Sequence, residues 1–194
     1  MDIAGGVIGL IIGGICCLLV VVLVIWLIAT YNKLVRQRNQ VDASWAQIDV
    51  QLKRRYDLIP NLVETVKGYA AHEKGTLDAV VQARNTAVAA SNSDPAARAQ
   101  AESQVTQTLG RLFALAEAYP NLKANENFAA LQAELANTED KIAYSRQFYN
   151  SAVQTYNNAT QVFPTNIIAG MMGFKNRTFF ETDEGERGNV QVRF

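Results

Sequence analysis

The chain opens with an uninterrupted apolar run. Residues 3–32 contain no Asp, Glu, Lys or Arg, and the first charged side chains after them are Lys33, Arg36 and Arg38. A helix needs roughly 20 apolar residues to cross about 30 Å of hydrocarbon. A cleaved signal peptide would instead begin with a basic segment and carry a shorter apolar core, a pattern that this sequence lacks. The run therefore predicts one uncleaved transmembrane helix.

The charges on either side of this run predict an orientation. Basic residues concentrate on the cytoplasmic side of a membrane span. Here they follow the run, whereas only Asp2 precedes it. We therefore expect the N-terminus outside and the C-terminal domain in the cytoplasm.

Beyond the run, apolar residues recur at every third or fourth position, which is typical of a helix with one buried face. The first such seam comprises Leu34, Val41, Trp45, Ile48, Leu52, Ile59, Leu62, Val66 and Tyr69. Only Arg38 and Arg55 interrupt it. Because the phase continues through Pro60, the pattern predicts one arm over residues 33–90, kinked near residues 57–60 and weakened at Gly68 and Gly75. A hairpin at residues 56–60, which would make two antiparallel helices, is the alternative.

The predicted kink carries a polar signature made of Tyr56, Asp57, Pro60 and Asn61. Asp57 is a candidate for capping backbone groups that the proline leaves free, so a structural role is the first interpretation. A pocket for a small molecule between the helices is the alternative, and it would lie near this kink.

Two further helices follow the first arm. Asp94 is a typical N-cap residue and Pro95 suits a first helical turn, so a helix is predicted from there to about Ala118. Asn125 is expected to cap a third helix, whose three-four register runs to Phe163.

These periods predict an all-α protein, with an N-terminal transmembrane helix followed by an antiparallel bundle of three (or four) long helices. The expected domains are a transmembrane anchor at 1–32, a helical bundle at 33–163 and an apolar, then acidic, C-terminal tail at 164–194. Only residues 189–194 alternate in the manner of a strand, and they are expected to form one short strand or coil.

The tail is apolar although it follows the last long helix. Its apolar side chains belong to Ile167, Ile168, Met171, Met172, Phe174, Phe179 and Phe180. Such residues need a surface that covers them, so they either fold back on the base of the bundle or dock on a neighbouring subunit, a partner or lipid. The first five form the predicted tail interface.

Composition argues against several classes of function. The 18 basic and 18 acidic residues give no net charge, so no nucleic-acid partner is expected. His72 and Glu73 begin the zinc-protease pattern H-E-x-x-H, but Thr76 stands where the second histidine belongs. Both cysteines, Cys16 and Cys17, lie in the apolar run. Since neither a phosphate-binding glycine loop nor paired carboxylates occur, we predict no catalytic residue, no metal site and no cofactor.

Glycines mark the front half of the span, where Gly5, Gly9 and Gly13 recur at every fourth residue. Small residues at this spacing let membrane helices pack closely, although glycine is also common in membrane helices in general. The glycine ridge predicts packing between spans, and therefore a homo-oligomer in the lipid bilayer.

Short motifs are spread along the chain. They are Tyr31-Asn32-Lys33-Leu34-Val35, Arg55-Tyr56-Asp57-Leu58-Ile59-Pro60-Asn61-Leu62-Val63, Lys67-Gly68-Tyr69-Ala70, His72-Glu73, Tyr119-Pro120-Asn121-Leu122, Glu126-Asn127-Phe128, Tyr149-Asn150, Tyr156-Asn157 and Phe163-Pro164-Thr165-Asn166-Ile167-Ile168-Ala169. With these motifs, nearly the whole sequence resembles the LemA family of bacterial membrane proteins. The resemblance implies an N-terminal anchor on an all-helical bundle and no established enzymatic activity. Some relatives are linked to membrane organelles and others look like neighbours of membrane metalloproteases, which implies a scaffold or an adaptor.

The function hypothesis is therefore a non-enzymatic, membrane-anchored scaffold that self-associates and organises an assembly at the bacterial inner membrane. The alternative is an adaptor or regulator of a membrane-bound protease or other membrane enzyme, which would then be its membrane-protein partner. A ligand-sensing module at the kink is the third hypothesis.

Overall fold

The computed structural model describes residues 3–181, with side chains from residue 10 onward. The helices are α1 (Ile3–Lys67), α2 (Lys74–Ala89), α3 (Pro95–Ala116), α4 (Pro120–Lys123), α5 (Glu126–Gln161) and α6 (Thr165–Met171), with a 3₁₀ turn at Ala90–Asn92. Because residues 3–181 contain no strand, the all-α prediction is confirmed. The acidic residues after Glu181 and the predicted strand or coil at 189–194 lie outside the described residues.

Helix α1 contains both the apolar run and most of the first arm. Its apolar part is long and apolar enough to cross a membrane, and the side chains from Leu10 to Ile28 are exposed. Exposed side chains on a charge-free helix are what the bilayer requires, because the backbone groups pair internally and the side chains face lipid.

Pro60 lies inside α1 and does not end it. The alternative of a hairpin at residues 56–60 is therefore wrong. Proline is tolerated in a helix interior when the carbonyl that loses its N–H partner is satisfied elsewhere, and this structure supplies such a donor from α2.

The first arm is shorter than the predicted 33–90, because α1 ends at Lys67 and α2 begins at Lys74. In the break after Gly68, the N–H groups of Tyr69 and Ala70 both donate to the Val66 carbonyl, at 3.0 and 2.8 Å. Glycine disfavours helix by about 1 kcal/mol relative to alanine, which helps to place the break. The three-four spacing of apolar residues continues across this break because α2 also buries one apolar face.

The capping predictions have mixed outcomes. Asn125 caps α5 as expected, since its Oδ1 accepts the Phe128 N–H at 2.9 Å. Asp94 occupies the N-cap position of α3 before Pro95, but its side chain makes no capping hydrogen bond. Helix α3 ends at Ala116, close to the predicted end.

The chain divides into two compact units. The anchor unit contains the described residues up to Val41 together with Gln154–Arg177. The bundle unit contains Asp42–Val153 and the described residues from Thr178.

The bundle unit has a core built by four helices. Its fully buried apolar side chains include Ile48, Leu52, Ile59, Leu62 and Val66 of α1, Val80 and Ala87 of α2, Val105 and Leu112 of α3, and Leu135 and Val153 of α5. Within α1, α2 and α3 these residues lie three, four or seven positions apart, and the two in α5 are 18 positions, or five helical turns, apart, so each helix contributes one apolar face.

The anchor unit is built by α1, the end of α5, α6 and the segment that follows α6. Leu34 of α1, Tyr156 of α5 and Ile168 of α6 are buried. Phe174 packs edge-on against Tyr31, with ring centroids 5.7 Å apart. Part of the apolar tail therefore folds back within this unit.

Candidate functional site

Arg55 is the centre of a buried polar cluster in the bundle unit. It interrupts the apolar seam of α1, and its side chain is only 1% exposed. Its Nη1 donates to Glu139 Oε1 of α5 at 2.6 Å and to Thr106 Oγ1 of α3 at 3.0 Å. Its Nη2 forms an ion pair with the carboxylate of Glu102, also on α3. One guanidinium therefore links three helices, and its fork geometry suits two carboxylates.

Tyr56 joins this cluster from the neighbouring position of α1. Its hydroxyl donates to the second carboxylate oxygen of Glu102. Burial, the hydrogen bond to Glu102 and the negative charge of that carboxylate together raise the pKa of Tyr56 well above its ordinary value of 10.0. Tyr56 therefore stays neutral and acts as a hydrogen-bond donor, so both oxygens of Glu102 are occupied.

Arg98 of α3 forms a second buried arginine site in the same unit. Its Nη1 pairs with Asp49 Oδ1 of α1 at 2.5 Å and donates to the Ser91 carbonyl at 3.1 Å. Its guanidinium lies over the ring of Trp45, 5.2 Å from the centroid. Trp45 also packs against Tyr149 of α5, with centroids 5.0 Å apart. This arrangement again ties α1 to α3 and α5.

A small cavity of about 110 Å³ lies beside the cluster. Its lining includes Ser103 and Thr106 of α3, Arg146 of α5 and Phe180. The Arg146 guanidinium lies over the Phe180 ring at 5.3 Å. The cavity has room for a few water molecules, each of which occupies about 30 Å³ in the liquid. Because Arg55 and Glu102 form an ion pair with each other, the cluster is suited to hold the helices together.

The predicted polar signature is only partly brought together. Tyr56 lies in the cluster, whereas Asp57, Pro60 and Asn61 are exposed. The Asn61 carbonyl accepts a hydrogen bond from Thr65 Oγ1 at 2.8 Å within the same helix. The sequence motif therefore has one buried member, Tyr56, and three exposed members.

The predicted packing residues of the span and of the tail lie in several places. A Cβ added to Gly13 would meet nothing within 4 Å, whereas the surroundings of Gly5 and Gly9 lie outside the part of the chain described in side-chain detail. In the tail, Ile168 and Phe174 are buried within the anchor unit, while Ile167, Met171 and Met172 are exposed.

Sequence reasoning missed Glu102, Glu139 and Arg98 as members of a site. The available signal was Arg55 itself, because a charge in an otherwise apolar seam needs a buried partner. No His/Cys/Asp/Glu group that could hold a metal ion occurs among the described residues. His72 is exposed in the turn between α1 and α2.

Comparisons with known proteins agree with this architecture. The chain is 27% identical over 186 residues to the magnetosome protein MamQ 2 of Paramagnetospirillum magneticum, covering 84% of this chain and 68% of that protein. It is 27% identical over 161 residues to the protein LemA of Metamycoplasma hominis, covering 83% and 73%. It is 26% identical over 178 residues to the magnetosome protein MamQ of Magnetospirillum gryphiswaldense, covering 79% and 65%.

None of these names states an enzymatic activity, and the exposed apolar part of α1 makes the chain a membrane-associated helical protein. The sequence model of the LemA family matches residues 44–194, which include the arginine cluster, all of α2 to α6 and the tail. Since this match covers well over half of the sequence, the chain belongs to the LemA family.

Proposed function

We propose that this protein is a non-enzymatic, membrane-anchored helical scaffold that self-associates and organises an assembly at the bacterial inner membrane. In this proposal residues 1–32 are the anchor, 33–163 the helical bundle and 164–194 the tail. The basic residues that follow the apolar run favour a cytoplasmic position for the bundle.

The observation that carries the proposal is an open groove on the side of the bundle unit, between α1 and α5. Its volume is about 450 Å³, and its lining residues are Gln47, Val50, Gln51, Asp140, Lys141, Tyr144 and Ser145. Val50 and Tyr144 are exposed. Copies that are anchored in one bilayer are confined to the same membrane, so exposed surfaces of their bundle units can meet. An open groove with an exposed aromatic side chain supports such contacts, because tyrosine is enriched at interfaces.

The span supplies a second surface for contacts between copies. Gly13 is open to its surroundings, and Gly5 and Gly9 continue its spacing toward the N-terminus. Without large side chains on this ridge, a neighbouring helix can approach closely in lipid.

The buried arginine cluster supports a structural role for the bundle unit. Arg55, Glu102 and Glu139 hold α1, α3 and α5 together. A scaffold needs a bundle that keeps its shape while its outer surface makes contacts. The relatives that are magnetosome proteins by name also support a role in a larger assembly.

The test is the native mass of the full chain in mild detergent and in nanodiscs. We expect an oligomer, and we expect Gly9→Leu with Gly13→Leu to shift it toward monomer. The matched control is Ile11→Phe with Ile15→Phe, which enlarges the opposite face of the same helix turns. Tyr144→Asp should also reduce the mass, whereas Val81→Asp on α2 should not.

A monomeric wild type would contradict the scaffold. If that monomer, or a dimer, copurified with a membrane protease, the adaptor function would replace it.

A further inference from the structure

Several apolar side chains remain exposed where α5 gives way to α6 and on α6 itself. This corner surface consists of Val162, Phe163, Ile167, Met171 and Met172. Met171 is 79% exposed, although the opposite side of α6, formed by Ile168 and Ala169, is buried in the anchor unit. A short helix that is apolar on both faces requires a second apolar environment.

The contacts of the anchor unit show where along α1 this surface lies. Phe174, three residues after the end of α6, packs on Tyr31 and lies 5.5 Å beneath the Arg38 guanidinium. The exposed fraction is 38% for Trp26 and 37% for Leu27, compared with 62% for Leu18, which lies nearer the N-terminus of the same helix. The segment that carries the corner surface therefore lies beside the last turns of the apolar run.

At the end of its apolar run, α1 is expected to leave the hydrocarbon core of the bilayer. Tyr31 precedes Lys33, the first charged residue after the run, by about 3 Å of helix rise. Tryptophan and tyrosine are enriched at this depth, because their rings are apolar and their polar groups reach the headgroups. The corner surface is therefore held next to the membrane interface by Phe174.

The charges of the anchor unit have one sign. Residues 3–41 and 154–177 together contain five basic side chains and no Asp or Glu. The basic residues are Lys33, Arg36, Arg38, Lys175 and Arg177. The whole chain has no net charge, so the positive charge is concentrated beside the span. Basic residues near an anionic membrane surface are attracted to its phosphates and favour binding.

We propose that the corner surface inserts into the headgroup region of the bilayer that α1 crosses, with the basic residues of the anchor unit around it contacting anionic lipid phosphates. The protein then attaches to one membrane at two points, a transmembrane helix and an interfacial helix corner. Interfacial segments of this kind bury their apolar side chains about 5–10 Å into the headgroup boundary. This contact depends on membrane anchoring and not on self-association.

The test uses site-directed spin labelling of the full chain. Cys16→Ser with Cys17→Ser removes both cysteines, and Ile167→Cys or Met171→Cys then carries a nitroxide. The protein is reconstituted in vesicles of phosphatidylglycerol and phosphatidylcholine. We expect both labels to collide with oxygen, which concentrates in hydrocarbon, and to be shielded from a water-soluble nickel chelate. Val81→Cys, an exposed position on α2 of the bundle unit, is the matched control and should be fully accessible to nickel.

The charges are tested by Lys175→Gln with Arg177→Gln, compared with Lys53→Gln with Arg54→Gln in the bundle unit. Only the first pair should move the Met171 label toward water, and only in vesicles that contain phosphatidylglycerol. A depth that is identical with and without the anionic lipid would overturn the role given to the basic residues.

Two outcomes would overturn the insertion itself. One is a Met171 label as accessible to nickel as the Val81 label. The other is spin–spin broadening at Met171 that disappears when unlabelled chain is added, since a second copy would then cover the surface. The native mass of the same sample reports self-association separately.

Discussion

Arg84 of α2 donates its Nε–H to the main-chain carbonyl of Tyr56 in α1, at 3.2 Å. In a regular helix this carbonyl accepts from the N–H four residues later, and here that residue is Pro60, which has no N–H. A side chain from another helix therefore satisfies the carbonyl that the proline leaves free. Asp57, the residue expected from sequence to serve this kink, carries a carboxylate that cannot donate to a carbonyl, and it is exposed.

The hydrogen bond from Arg84 to the Tyr56 carbonyl is expected to stabilise the bundle unit. Arg84→Met should lower the free energy of unfolding by about 1 kcal/mol, since it leaves a partly buried acceptor unpaired. For a chain of this length that is a fall of roughly 2–4 °C in Tm, measured by circular dichroism of the full chain in detergent. Arg111→Met, at an exposed position of α3, is the control.

The same substitution should cost much less in a Pro60→Ala background, because alanine restores the helical N–H partner of the Tyr56 carbonyl. The two changes therefore form a double-mutant cycle with a measurable interaction energy. Equal losses in both backgrounds would show that Arg84 acts through something other than this carbonyl.

Removal of Arg55 should be far more damaging than removal of its neighbour. Arg55→Met leaves the buried carboxylate of Glu102 without its cation, and the loss of one member of a buried ion pair costs about 3–5 kcal/mol. Arg54 pairs with Glu134 at the surface and is about half exposed, so Arg54→Met should cost less than about 1 kcal/mol. Thermal unfolding of both variants in the same detergent gives the comparison.

A second variant separates charge burial from loss of packing. Arg55→Met with Glu102→Gln removes the buried charge that Arg55→Met leaves unpaired, while the partly exposed Glu139 stays in contact with solvent. The double variant should therefore recover a large part of the lost stability. If the double variant is no more stable than Arg55→Met alone, packing around the arginine, and not its charge, holds the three helices together.

How far the sequence predicts this protein can be judged from these residues. Apolar periodicity located the helices, because burial of one face imposes it on each helix. It did not locate the break at Gly68, since the helices on both sides of a turn can keep the same phase. The cap at Asn125 was predictable because its partner, Phe128, is local. The carboxylate partners of Arg55 are 47 and 84 positions away, and only tertiary packing brings them together.

Alkaline pH should destabilise the bundle through Tyr56. The folded state raises its pKa above 10.0 by burial and by contact with Glu102. This stabilisation is complete below the ordinary pKa and is lost as the pH rises toward the raised value, because the unfolded chain releases the proton first. The expected slope is about 1.4 kcal/mol per pH unit.

Tyr56→Phe should remove this slope above pH 10.0, although it also costs some stability at neutral pH through the lost hydrogen bond to Glu102. Tyr119 is the comparison, since its pKa is also raised, chiefly by the hydrogen bond to Glu73. Tyr119 is less buried than Tyr56, so Tyr119→Phe should change the alkaline slope less. Identical alkaline profiles for wild type and Tyr56→Phe would rule out Tyr56 as the titrating group.

Asn157 of α5 holds the segment after α6 by both ends of its amide. Its Oδ1 accepts the N–H of Arg177 at 2.8 Å, and its Nδ2 donates to the carbonyl of the same residue at 2.9 Å. Asn157→Ala removes both hydrogen bonds and should raise the rate of trypsin cleavage after Lys175 and Arg177 by roughly tenfold, because local opening of this segment precedes cleavage.

The matched control for this prediction is Asn158→Ala, which changes the adjacent side chain on the exposed side of α5. Cleavage after Arg111 in α3 provides an internal reference, because a general loss of folding would accelerate it as well. The role of the Asn157 amide is supported if Asn157→Ala accelerates cleavage only after Lys175 and Arg177 in the intact, detergent-solubilised chain. If both variants are cleaved at the wild-type rate, the Asn157 amide does not hold the tail, and the packing of Phe174 on Tyr31 is sufficient to keep it in place.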